Sequence, residues 1–131
     1  MKRLAIGLII FIALVAAFDA WMQPAKAQIV GFCDQSVVVS VASGMVQTLA
    51  SAVGGSTVYV CAYDLSADTI ATTGQFKSGS TNLTGAMRFC DECVHTFGNG
   101  ASVLFQTPSG GNLTLTTATG AITGVVTFGQ K

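Results

Sequence analysis

Charge is scarce in this chain. Asp, Glu, Lys and Arg make up 9% of its residues, so charge repulsion cannot be what keeps it soluble. Beyond residue 27 the cations are Lys77, Arg88 and Lys131, against Asp34, Asp64, Asp68, Asp91 and Glu92, a net charge of −2. Without a basic stripe there is little to neutralise a phosphate backbone, which disfavours a nucleic-acid partner. A polybasic membrane patch is missing for the same reason. No segment after residue 27 keeps a helical period of apolar residues. The chain has no G-x-S-x-G elbow, no P-loop and no dinucleotide fingerprint, and His95 is its only candidate general base. Asp91 and Glu92 are adjacent, so in an extended chain they point to opposite sides and do not form the facing pair a glycosidase needs. No enzymatic activity is expected, and no cofactor.

What is present starts with an N-terminal leader. Lys2 and Arg3 precede an apolar run from Leu4 to Phe18, and Pro24 is followed by the small-residue site Ala25-Lys26-Ala27. Fifteen apolar residues are short of the roughly 20 that span a bilayer. A signal peptide over residues 1–27 is expected, with cleavage before Gln28 and no stable membrane anchor afterwards. A lipoprotein reading fails because Phe32 stands just before Cys33, where a small residue belongs. Residues 28–131 then form one exported domain, secreted or periplasmic, in an oxidising compartment that favours disulfides. A domain of that size buries roughly two-thirds of its unfolded surface, so one modest core is feasible and disulfides would help it.

The domain alternates short β-prone runs with Gly, Ser, Asn and Asp turns. Val37, Val39 and Val41 share one side of a strand over Ser36–Val41. In Thr57–Tyr63, Val58, Val60 and Ala62 fall on one side, with Tyr59, Cys61 and Tyr63 on the other. Further strands are expected over Met45–Ala50, Ile70–Lys77, Leu83–Phe89, Ser102–Thr107, Leu113–Thr117 and Ile122–Phe128, with turns at Gly54-Gly55 and over Pro108–Gly111. About eight short strands without intervening helices imply an all-β fold, a single antiparallel β-sandwich with jelly-roll or Greek-key connections. Most of the six phenylalanines beyond residue 27 fit core positions. Asp64 and Asp68 flank Leu65-Ser66-Ala67, read as a solvated turn, since two carboxylates fall short of the six to eight oxygens calcium takes.

The segments Leu65–Thr73, Phe76–Gly79 and Leu83–Arg88 resemble a group of small β-rich proteins encoded by tailed bacteriophages and prophages. So do Phe105–Leu113, Gly120–Phe128, and the start Cys33-Asp34-Gln35-Ser36 together with Tyr59-Val60-Cys61. The resemblance covers nearly all of residues 28–131. It implies a structural, decoration or fibre-like role without catalysis, with a homo-oligomer or larger assembly as partner. Members with a secretory signal carry cysteines where this chain has Ser78–Thr81 and Thr114. The difference implies that Cys33 and Cys61 pair with each other and that the second pair here is a different one. A leader also sets the chain apart from virion proteins, which assemble in the cytoplasm, and favours an exported product of a phage or host locus over a part of the virion. Asn82 and Asn112 begin formal glycosylation sequons. They would matter only in a eukaryotic secretory pathway, which the resemblance argues against.

Four cysteines allow three connectivities. Cys90-x-x-Cys93, with Asp91 and Glu92 between and His95 after, admits three readings. A redox pair needs a helix N-terminus to lower its thiol pKa. Val94–Gly100 reads instead as a β stub and a turn, and two acids beside the thiols act the other way. A metal site could recruit Cys90, Cys93 and His95, but a structural zinc site takes four ligands and no second CxxC exists. A disulfide-closed loop is the expectation. A binding module for a cell-surface or extracellular ligand such as a glycan stands as the alternative function. Tyr59 and Tyr63, on a strand that looks central, offer no evident aromatic platform for it.

Overall fold

A computed structural model describes residues 32–69, 71–90 and 93–131. Residues 1–31, with the expected signal peptide, and Ile70, Asp91 and Glu92 lie outside the described residues. Ten strands form two antiparallel sheets packed face to face: β1 (Gln35–Val41), β2 (Val46–Ala50), β3 (Val58–Ala67), β4 (Thr73–Ser78), β5 (Thr81–Asn82), β6 (Met87–Arg88), β7 (Val94–Phe97), β8 (Phe105–Gln106), β9 (Leu113–Thr119) and β10 (Ile122–Gln130). Sheet A runs β1-β10-β3-β7, with β8 also on β3. Sheet B runs β2-β9-β4-β5, with β6 also on β4. The first four strands alternate between the sheets, so β1 and β2, β10 and β9, and β3 and β4 hold corresponding places in the two layers.

The period of two builds the core as the sequence implies. Val39 and Val41 point inward with Val37 beside them, while Val38 and Ser40 stay exposed. On β9, Leu113 and Leu115 are fully buried and Thr114 and Thr116 face out. Phe76, Leu65, Val60 and Ile122 fill the space between the layers. Each such side chain contributes about 1.5–3 kcal/mol when wholly removed from water. The expected turns are present: Gly54 and Gly55 take left-handed φ values of 60° and 82° before β3, and Gly111 N–H closes onto the Pro108 carbonyl at 2.9 Å.

Three expectations need correction. On β3 the predicted alternation inverts. Thr127 faces Ala62 and Phe128 faces Val60, which leaves Cys61 as an extra residue in a bulge. Val58 and Val60 point into the core before it, and Tyr63, Leu65 and Ala67 after it. The Asp64–Asp68 stretch is not a turn: β3 continues through Ala67, paired with β10 on one side and β7 on the other. The run Leu83–Phe89 is not one strand either. Thr84 and its neighbours lift off β4 between β5 and β6, and the Thr84 hydroxyl stands in for the ladder by accepting Phe76 N–H at 3.2 Å.

The two ends of the sandwich differ. At the β1 end, Gln47 from β2 reaches across the layers. Its Oε1 accepts Ser40 N–H at 2.8 Å and its Nε2 donates to the Val38 carbonyl at 3.1 Å. One amide therefore occupies backbone groups that an edge strand leaves open. At the other end β7 lies at the margin of sheet A with Val94 and Phe97 more than half exposed. Among the described residues no helix is long and apolar enough to cross a membrane.

Candidate functional site

The four cysteines form two disulfides, Cys33–Cys61 and Cys90–Cys93. Cys33–Cys61 is the pair implied by the resemblance. It fastens the start of the domain to the bulge on β3, where Phe32 packs edge-on against Tyr59 at 4.7 Å. Gly129 is needed beneath this crossing, because a Cβ there would collide with the Phe32 carbonyl.

Cys90–Cys93 closes a four-residue loop ahead of β7, with Cys93 N–H directed at the Cys90 carbonyl at 3.4 Å. Phe89, buried, holds the loop to the body through its N–H bond to the Thr72 carbonyl at 2.9 Å. The segment after Cys93 is a strand, so it supplies no helix dipole to lower a thiol pKa. His95 lies opposite Leu65 with its ring against Phe89 at 4.5 Å, a half-buried packing contact. The bonded sulfurs of Cys90 and Cys93 are not the thiolates a metal site requires. Among the described residues no group of three or more His, Cys, Asp or Glu could hold a metal ion. Two oxidised pairs suit an oxidising compartment.

The carboxylates have separate tasks. Asp64 sits on the outer side of sheet A and accepts a hydrogen bond from the Thr96 hydroxyl at 2.9 Å. Asp68, beyond the end of β3, accepts Ala121 N–H at 2.8 Å and tethers the β9–β10 connection. Tyr63 lies in the core between Phe76 and Phe97, with ring centroids 5.3 and 5.5 Å away. Phe76, Phe89 and Phe128 are buried as expected, whereas Phe97 is 56% exposed against Tyr63.

Burial pushes the Tyr63 phenol above its ordinary pKa of 10.0. Because the folded state disfavours the phenolate, stability should fall as pH rises past the unfolded value. Ultraviolet titration of the native protein should show a late tyrosine ionisation that Tyr63→Phe removes.

Two outer faces remain. On sheet A, Val38, Val125, Asp64 and Thr96 form one cross-strand row. Val38 is 70% exposed. The next row joins Ser40, Thr123, Ser66 and the exposed Val94, with the Ser66 and Thr123 hydroxyls 3.1 Å apart. On sheet B, a groove of about 300 Å³ runs between β4, β9 and the raised Thr84–Ala86 segment, lined by Thr73, Gln75, Lys77, Ala86, Thr116 and Ala118 among others. No motif in the sequence pointed to it, since its halves lie some forty residues apart and consist of common strand residues. The only advance signal was the alternation of β9, since the chain over Leu83–Phe89 was expected to run as one strand. Comparison of the chain with protein-family models, with curated proteins and with solved structures gave no match.

Proposed function

We propose that this protein is a non-catalytic structural or decoration subunit of phage-related origin, exported through its leader, that acts through surface contacts and self-assembly. The observation that carries the reading is the outer face of sheet A. A regular four-strand surface there presents adjacent exposed Val38 and Val125 in a field of hydroxyls, and Asp64 is its one charge. Two copies can approach through such a face with little charge to desolvate, while a monomer gains nothing from a valine pair in water. The phage-related origin rests on the sequence resemblance, and the extracellular or periplasmic location on the leader and the two disulfides.

Sedimentation equilibrium of the exported protein tests the reading, after intact mass has confirmed a start at Gln28. Concentration-dependent association is expected. Val38→Lys with Val125→Lys should weaken it by about tenfold or more while leaving the melting temperature nearly unchanged, because both side chains already face water. A protein that stays monomeric into the hundred-micromolar range, on the order of the weakest specific interfaces, would remove self-assembly as its mode of action.

A further inference from the structure

We infer that the groove on the outer face of sheet B is a binding site for a carboxylate-bearing saccharide, an oligouronate in chemical class. Its shape comes from two departures from regular pairing. Between β4 and β9 the register slips, so that Gly74 faces Thr117, Thr73 faces Thr119, and Ala118 is left as an extra residue. The bulge bends β9 and forms one wall. The raised segment ending in Ala86 forms the other, anchored where Gln75 Nε2 donates to the Thr84 carbonyl at 2.8 Å.

Hydrogen bonding within the groove leaves a defined set of open groups. Gln75 has spent one amide hydrogen on Thr84 and keeps its second hydrogen and its Oε1. The Thr116 hydroxyl donates to the Gln75 carbonyl at 3.2 Å and so faces the groove as an acceptor. Ala86 and Ala118 add apolar methyl groups to the lining. A pyranose ring presents the matching alternation of hydroxyls and C–H patches.

The cations supply the charge. Phe76 is buried, so its neighbour Lys77 points outward and lines one end of the groove. Gly74 faces the core and Met87 packs against the core, so Arg88, paired with Thr73, points outward and stands beside the other end of the groove without lining it. Residues 73 and 77 are roughly 13 Å apart along β4 at the usual strand rise. That spacing suits carboxylates placed along a short chain better than a single phosphate or sulfate, towards which both side chains would have to extend fully. Among the described residues, the aspartates Asp34, Asp64 and Asp68 all belong to or adjoin sheet A strands on the opposite layer. An extended peptide would be recognised through main-chain hydrogen bonds, and the floor here is a sheet face whose backbone groups are already paired in the ladder. The saccharide is the better fit.

The test is amide-resolved NMR titration of the oxidised protein with trigalacturonate, beside neutral galactotriose and a triglutamate peptide. The uronate should shift the Gln75 side-chain amide and the backbone amides of residues 73–77 and 116–118. Lys77→Gln and Arg88→Gln should each weaken binding about two- to fivefold, the range for an exposed charge pair, and Lys77→Arg should restore most of it. Added salt should weaken it too. Any of four results would overturn the assignment: no shifts, shifts confined to other surfaces, an equal response to the neutral sugar, or an equal response to the peptide. Retention of full affinity in both glutamine variants would do the same. Association through sheet A is measured separately, so the two readings can fail independently.

Discussion

Replacing Cys33 and Cys61 together by alanine is expected to destabilise the domain by roughly 3.5 kcal/mol, from the entropy of a loop that the bridge no longer closes. The two residues are 28 apart in sequence, a long closure for a chain this small. Unfolding midpoints of domains near this size move by about 4–8 °C per kcal/mol, so a fall of roughly 15–30 °C is expected by calorimetry. The bridge also has a local task. It holds Phe32 on Tyr59 and keeps the Cys61 bulge in place, and the bulge sets which residues of β3 face the core. Freed from it, the first residues should lose amide protection well before the strands do. Alanine is the right replacement at Cys61, which is fully buried, because serine would add a hydroxyl without water. The Cys90→Ala, Cys93→Ala pair supplies the control. It opens a loop of sequence separation 3 and should cost about half as much on the same argument. Equal losses from the two double variants in urea denaturation would show that loop closure is not what these bridges contribute.

Phe76→Ala should cost about 3–5 kcal/mol, a large part of the roughly 5–15 kcal/mol that holds a typical domain together. Phe76 is wholly buried on β4 and packs against Tyr63 of β3 at 5.3 Å and Phe105 of β8 at 5.1 Å. It therefore joins sheet B to both parts of sheet A, and truncation leaves a cavity bordered by two rings. Strand backbones fixed by ladders on both sides cannot close in on that space, so the loss should sit at the upper end of the range. Phe76→Leu should recover much of it, since leucine keeps most of the volume. Phe97→Ala is the comparison: its ring also meets Tyr63 but is more than half exposed, and its loss should be well under half as large. Denaturant titration of the three variants with the disulfides intact would read the order directly. If the Phe97 variant proved as costly as the Phe76 variant, the core would have to be centred nearer the β7 margin.

Much of the fold was legible because its strands state their period. Leu113–Thr116 alternates without interruption, and Val37, Val39 and Val41 recur at every second place, and both became strands with the faces expected. The errors came where a long-range contact reset a local pattern. Nothing near Cys61 announces a bulge: the residue that leaves the ladder does so against β10, more than sixty positions later. Leu65–Ala67 read as a turn because small residues lie between two aspartates, but the pairing of β3 with β10 and β7 overrode that preference. Leu83–Phe89 carried a glycine at its middle, and there the chain left the sheet. The loop at Cys90–Cys93 was legible as a stitch because the expected oxidising compartment narrows cysteine chemistry. The groove on sheet B was not, since Gln75, Lys77 and Thr116 are ordinary strand residues until folding sets them side by side.

The glutamine at the β1 end bears on how sheets of neighbouring copies could ever join. Continuous growth of a sheet from molecule to molecule needs two vacant margins on each unit, one to receive and one to be received. Gln47 fills part of one of them with its own amide. The β7 margin is then left to meet only another β7 margin, and a union of that kind uses up both. Merging through sheet A alone is thus a terminating event that ends at a pair.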